Sequence, residues 1–345
     1  MSLCSFCNDY AEGAHPRLLE VLTSSNMAQE DGYGNDSLSA QARDLLRREL
    51  HAPEADIHFV SGGTQANLIV MASLLRPFES VIAADSGHIN VHETGAIEAT
   101  GHKVHGLKSR DGKLFAKDIH DLVMHHGDEH MVKPRVVFIS NATEVGTVYT
   151  KAELESIAAI CCQDGLYLYM DGARLGSALV SDASDLSLAE LSRLMDVFYV
   201  GGTKNGALLG EAIVINRKEL QPYFRYHIKQ RGGLLAKGRV IGSQFVGLFT
   251  DGLYFEIARH ANTMAMKMAQ GLKDLGFIFF TPVQTNQIFP VFSNARIREL
   301  QKSYIFQIWE AVDADHSAIR LVTSWATREE MVDAFLEDVQ KSAGK

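Results

Sequence analysis

Three short segments of this sequence carry groups that could do chemistry together. The first, "VSGGTQAN" at 60–67, sets Gly62 and Gly63 in a turn and opens a helical stretch at Thr64 and Gln65. Backbone N–H groups exposed by such a turn, at the positive end of a helix, attract an anion. The segment fits neither GxxxxGK[ST] nor GxGxxG, so a phosphate on something smaller than a nucleotide suits it better. The second, "LYLYMDGARLGSA" at 166–178, ends a strongly apolar run on Asp171, with Arg174 three residues on. A carboxylate at the end of a buried strand needs a partner or a cationic ligand. A helix cap or an ion pair with Arg174 would also satisfy it. The third, "DVFYVGGTKNGALLG" at 196–210, holds Lys204 among Gly201, Gly202 and Gly206 with apolar residues on both sides. Lysine is rarely buried without a partner. Held in such a place it gives up its proton readily and can serve as a Schiff-base nucleophile.

Phosphate turn, strand-end carboxylate and lysine follow in that order, with Lys204 33 residues after Asp171. Pyridoxal phosphate needs those three groups: an anion site for its phosphate, a carboxylate for its pyridinium nitrogen and a lysine for its aldehyde. The carboxylate keeps the ring nitrogen protonated, so that the ring can accept electrons from a bond breaking at a substrate Cα.

The elements that must position these groups alternate from 57 to 215. Short apolar runs, "IHFV", "SVIAA", "RVVFIS", "LYLYM", "DVFYV" and "EAIVI", are separated by helical patterns. One helix follows "IHFV", with Leu68, Met71, Ala72 and Leu75 on its apolar face, and another is expected after "SVIAA", through Val91, Gly95 and Ala99. Near-continuous apolar strands between helices predict an α/β fold with a largely parallel sheet covered on both faces. Ligands of such sheets gather beyond the carboxyl ends of the strands. From 251 a long helical stretch leads to "FIFF", "QIFPVF", "IFQIW" and "IRLVT" and a last helix, a smaller α+β domain.

The 345 residues are 46% hydrophobic and 22% charged, average for a soluble globular protein. A net charge of −9 argues against general affinity for nucleic acid or anionic membrane. No apolar run reaches membrane-span length and no signal peptide is visible, so a cytoplasmic protein is expected. Cys4 and Cys7 form a CxxC without a second pair at metal-binding spacing, and Cys161 and Cys162 read as helix packing. No metal site is expected.

Taken together, "DGARLGSA", "GGTKNG", "VSGGTQAN", "GYGNDS" at 32–37 and "RLVTSWAT" at 320–327 resemble segments of the threonine aldolases of the beta-eliminating lyase group, along essentially the whole chain. The resemblance implies pyridoxal-phosphate fold type I. It implies an N-terminal arm at 1–15, a large cofactor-binding domain with a mostly parallel seven-stranded sheet at 16–250, and the small domain at 251–345. Lys204 would be the Schiff-base residue, Asp171 the partner of the ring nitrogen, and Gly63 and Thr64 phosphate ligands, with Asn141 also near the cofactor. His88, in "DSGHINVHETGA", would stack on the ring, and His92 takes a place the family more often gives to an aromatic residue. Arg174, Arg320 and Asn8 would bind the substrate carboxylate, Asn8 standing where the family has serine. Thr143 occupies the place of a histidine near the substrate hydroxyl. The proton acceptor there is open among His88, His92, Glu144 and an ordered water. Basic residues of "KQRGGLLAKGR" at 229–239 are further candidates for the phosphate.

The activity implied is retro-aldol cleavage of a β-hydroxy-α-amino acid, L-threonine or L-allo-threonine, to glycine and acetaldehyde, by a homodimer or homotetramer. Another pyridoxal-phosphate lyase, an aminotransferase on the same scaffold and a non-catalytic descendant are the alternatives.

Overall fold

The computed structural model describes residues 4–341. A two-residue strand, β1 (Cys4–Ser5), precedes two helices, α1 (Pro16–Ser25) and α2 (Ser37–Glu49). The apolar runs then form one sheet from β2 (Asp56–Val60), β3 (Glu79–Ala84), β4 (Val104–Leu107), β5 (Lys133–Ser140), β6 (Tyr167–Asp171), β7 (Val197–Gly201) and β8 (Glu211–Ile215). Its order is β2-β8-β7-β6-β5-β3-β4, with β8 antiparallel to both neighbours and the rest of the pairs parallel. Every residue of β3, β7 and β8 is buried, as a sheet covered on both faces requires.

The covering helices are α3 (Gly63–Leu74), α4 (His88–Val91), α5 (Ala116–His125), α6 (Lys151–Asp164), α7 (Leu175–Leu179), α8 (Leu188–Leu194), α9 (Phe224–Gln230) and α10 (Arg239–Phe249). Side chains alternate across the strands. Leu168, Met170 and Phe198 therefore enter the core on the face of α6, α8 and α10, while Tyr169 and Tyr199 turn to the opposite face, against α3 and α9. Local signals set the helix limits. Thr150 with Glu153 and Ser187 with Glu190 form capping boxes that start α6 and α8, each worth about 1 kcal/mol. Gly165, at φ 69°, stops α6.

The C-terminal part consists of α11 (Leu253–Asp274), β9 (Gln287–Ile288), β10 (Val291–Ser293), α12 (Asn294–Leu300), β11 (Tyr304–Ile305), β12 (Gln307–Ala311), β13 (His316–Val322) and α13 (Glu329–Lys341). β13 pairs antiparallel with β9, β10 and β12. Helix α11 serves two cores. Leu253, Tyr254 and Ile257 pack with the large sheet, and Met264, Met268 and Leu272 with β13 and α13. The amino-terminal arm docks here as well: β1 pairs in parallel with β11, and Phe6 is buried beside Tyr304 and Phe335.

Several local expectations are corrected. The helix after β3 lasts one turn, because Thr94 and Gly95 take positive φ (53° and 70°). The buried face of α3 is Ala66, Asn67, Ile69, Val70, Met71 and Leu74, while Leu68 and Ala72 lie at its margin. "FIFF" makes a single bridge, Phe279 to Pro290, rather than a strand. Cys161 is buried, but Cys162 is exposed on the outer side of α6.

Candidate active site

The carboxyl ends of β6, β7 and β2 lie on one edge of the sheet, and the reversal into β8 keeps the Lys204 turn there too. Asp171 closes β6, buried at 5% exposure, and its carboxylate is fixed from three sides. Oδ1 accepts the Tyr199 hydroxyl (2.5 Å) and the Ala173 N–H (3.0 Å), and Oδ2 accepts Asn67 Nδ2 (3.1 Å). Asn67 is oriented in turn by the Tyr169 hydroxyl on its Oδ1 (2.8 Å). The aspartate is thus neither a helix cap nor the partner of Arg174.

Lys204 sits in the β7–β8 turn. Among the described residues its amine has no hydrogen bond or ion pair, and it lies 6.0 Å from the Tyr10 ring centre. Burial and the Arg174 charge lower its pKa, outweighing Asp9, Asp171 and Glu211. A second carboxyl, Glu211, lies under the same turn and accepts the Gly202 N–H (2.9 Å). Burial pushes it up to about 8.

Helix α3 begins at Gly63 with extended Gly62 at its cap and no capping side chain. A Cβ on Gly63 would stand 2.7 Å from the Tyr199 hydroxyl, so only glycine lets the helix start this close to Asp171's partner. Thr64 is exposed at the same end. From 229–239, Arg231 comes to this end: its carbonyl accepts Gln65 Nε2 (3.4 Å), and its buried Nε has no partner.

His88 opens α4 beyond β3. Its Nδ1 meets Glu93 Oε1 at 2.8 Å, and its backbone N–H is held by Glu144 Oε1 (2.9 Å). Burial favours the neutral ring, but the Glu93 hydrogen bond and the Asp171 and Glu93 charges outweigh it and raise the His88 pKa. His92 lies 5.5 Å from His88, ring to ring, and is exposed; burial and the nearby His88, Arg320 and Lys204 lower its pKa. Burial raises the pKa of Glu144, whose carboxyl also takes the Ser140 hydroxyl (2.7 Å). Thr143 faces away from these groups. It is fully buried against Thr147 (Oγ1 to Oγ1, 2.7 Å), with Asp111 O also in reach. Asn141 is tied by its N–H to the Asp171 carbonyl (3.0 Å) and by its Oδ1 to the Tyr149 N–H (3.3 Å). Its amide NH2 remains as the group able to meet a ligand.

On the other side of Lys204, the two arginines behave differently. Arg174 is clamped by Asp9, with Nε to Oδ2 at 2.7 Å and Nη2 to Oδ1 at 3.0 Å. Asn286 donates to the same Oδ2 (2.9 Å). Arg320 forms no ion pair among the described residues. Its Nε is buried without a partner, Nη2 reaches only the Cys7 carbonyl at 3.5 Å, and its guanidinium lies 5.5 Å from the Trp309 ring. A half-buried cation so poorly matched is ready for an incoming carboxylate. Asn8 spends its Oδ1 on the Tyr10 N–H (3.0 Å) and keeps its NH2.

These contacts gather Lys204, Asp171, Asn141, His88, His92, Arg174 and Arg320, but leave out Thr143 and, from 229–239, Lys229 over the Tyr33 ring and Arg239 on the Asn26 and Ala28 carbonyls; they add Asp9, Asn67, Glu93 and Tyr199, which motif spacing alone did not single out. Each was visible as a polar residue inside an apolar or glycine-rich segment, but nothing local says which partner it meets. Among the described residues, no group of His, Cys, Asp and Glu could hold a metal ion, and no helix is long and apolar enough to cross a membrane.

The residues present suit pyridoxal phosphate on geometry alone: a half-buried amine unpaired among the described residues, a fixed carboxylate, and an uncapped helix start beside an orphaned arginine nitrogen. A model described as beta-eliminating lyase matches residues 16–295. The low specificity L-threonine aldolase of Pseudomonas aeruginosa is 34% identical, over 98% of each chain. The solved threonine aldolase of Leishmania major is 48% identical, with a TM-score of 0.97 over 98% of this chain and 99% of that one. A Thermus thermophilus aspartate aminotransferase, 14% identical with a TM-score of 0.73 over 98% and 91%, shares the fold. By sequence along almost its whole length and by its fold, the chain belongs to the beta-eliminating lyase family.

Proposed function

We propose that this lyase cleaves β-hydroxy-α-amino acids of the threonine type to glycine and an aldehyde, with pyridoxal phosphate as cofactor. The observation that carries the reading is Lys204: a half-buried amine of lowered pKa, without a partner among the described residues, beside the fixed Asp171 carboxylate. The relatives named threonine aldolase point the same way.

When bound, the cofactor supplies an electron sink for the pair released at the substrate Cα. Lys204 would hold it through its amine, and Asp171 would hold the proton on its ring nitrogen. Gly63, Thr64 and the start of α3, with Arg231, would take its phosphate. Asn141 has an NH2 left for the ring's edge, and His88 would stack on its face. Arg320 is the principal anchor for the substrate carboxylate, with Arg174 and Asn8 beside it. Anchoring decides which bond at Cα is presented for cleavage. His88, with Nε2 free of Glu93, is the group we assign to accept the β-hydroxyl proton. His92, more exposed, lines the mouth, and the sealed Thr143 takes no part.

Purified protein should absorb visible light, and borohydride reduction with peptide mapping should place the pyridoxyl group on Lys204. Threonine, allo-threonine and phenylserine should release glycine and an aldehyde. A colourless protein that takes up no cofactor overturns the reading. Pyruvate from serine, or a requirement for a keto acid, reassigns it to β-elimination or transamination. We also infer a cytoplasmic homodimer or homotetramer. The exposed, touching rings of Tyr223 and Tyr226 beside the Arg231 segment support the assembly, which sedimentation would measure.

A further inference from the structure

Glu93 is a puzzle in energetic terms. Its side chain is 0% exposed, yet among the described residues only one of its two carboxylate oxygens has partners. Oε1 accepts both Asn67 Nδ2 (2.7 Å) and His88 Nδ1 (2.8 Å), while Oε2 is buried with no donor. A half-satisfied buried carboxylate costs several kcal/mol in general, so a packing role alone would be served better by an apolar residue. The Asn67 amide nitrogen carries two hydrogens and donates to two carboxylates, Glu93 and Asp171 (3.1 Å). One buried path therefore runs from the His88 ring through Glu93 and Asn67 to Asp171.

We propose that Glu93, seated by Asn67, is the positioning residue of His88: it fixes the ring plane and holds the hydrogen on Nδ1, so that Nε2 presents its lone pair to the site. A carboxylate on one imidazole nitrogen sets the tautomer at the other. The inference rests on His88 being the ring that faces cofactor and substrate. The charged and titratable groups around that ring are Glu93, Asp171, Lys204, Glu144 and His92. Of these, Glu93 touches a ring nitrogen, while Glu144 holds the backbone N–H.

The test uses the full chain loaded with pyridoxal phosphate and labelled with 15N-imidazole histidine, with His88 assigned through His88→Asn. In the unsubstituted protein, neutral His88 should carry its hydrogen on Nδ1. In Glu93→Gln the ring should titrate at lower pH, and the rising limb of kcat/KM against pH should move with it. kcat should fall about 10- to 100-fold while KM stays within about twofold. Glu93→Asp should restore part of the charge effect but not the geometry. If Glu93→Gln does not fold, Asn67→Ala keeps the carboxylate and removes its seat. There His88 should populate both neutral tautomers, and kcat should fall with KM held. An unchanged tautomer and titration in the folded variant overturns the proposal. Because the NMR signals do not depend on turnover, absence of aldehyde release refutes the proposed reaction separately.

Discussion

Replacing Asp9 with asparagine removes one charge from the ion pair with Arg174 and almost nothing else. Asp9 is 1% exposed and the Arg174 side chain 11%, so water cannot take over the lost contact. Both guanidinium bonds, at 2.7 and 3.0 Å, become ordinary amide contacts at best, and Arg174 is left charged and buried. At an effective dielectric near 20, two charges about 4 Å apart attract by about 4 kcal/mol. Breaking buried pairs from one side costs about 3–5 kcal/mol in general. The isosteric amide and the Asn286 contact retain part of this, so Asp9→Asn should destabilise by about 3 kcal/mol. For a chain of this length the unfolding entropy is about 0.7 kcal/mol/K, which makes the expected fall in Tm about 4 °C. Burial alone would raise the Asp9 pKa. The Arg174 and Lys204 charges, with the Arg174 and Asn286 hydrogen bonds, hold it below 3.8 instead. The pair's contribution is therefore complete above the unfolded value of 3.8 and disappears as pH falls through the lower folded value. Melting curves of both proteins should differ constantly from pH 7 to about 5 and converge below 3.8. A cycle with Arg174→Met should give a coupling of at least about 2 kcal/mol. A Tm shift under about 1 °C, or additivity within about 0.5 kcal/mol, would refute the argument.

Gly63→Ala drives a methyl into the Tyr199 hydroxyl; it should cost about 1–3 kcal/mol and weaken cofactor uptake, read by fluorescence, with Tyr199→Phe in the same chain recovering the stability but not the uptake. Arg320→Lys should raise the amino-acid KM about tenfold or more by losing the planar fork, with the cofactor spectrum unchanged. Trp309→Ala removes the ring 5.5 Å from that guanidinium; the loss of about 0.5–1 kcal/mol should raise KM about two- to fivefold in steady-state assays. His88, raised in pKa chiefly through Glu93 against the pull of burial, stabilises the fold below the unfolded histidine value of 6.5. That contribution is lost as pH rises through the folded value, so Glu93→Gln and the unsubstituted protein should converge in Tm on the alkaline side.

The sheet was legible because its strands are apolar runs with helices between them, and Lys204 and Asp171 were legible because they sit at the ends of two such runs. What escaped is long-range. Asp9 and Arg174 are 165 positions apart, and Asn67 and Asp171 are 104 apart. No local pattern announces either contact. The reversal of β8 was equally hidden, since an apolar run such as "EAIVI" carries no signal of its direction in the sheet. The one-turn α4 escaped for a different reason: Thr94 takes positive φ, a conformation its branched side chain does not advertise.

The docking of the arm has a consequence for synthesis. Residues 4–9 find their partners at Asn286, Tyr304, Arg320 and Phe335, roughly 280–330 positions later in the chain. At the usual pace of the ribosome, β1 and Phe6 therefore wait about 15–60 s after emerging before Tyr304 and Phe335 exist to receive them. A nascent chain stalled before β11 would have its sheet and Lys204 in place but an open carboxylate side. Segments made late are what let residues 4–9 settle on the carboxylate side of the site.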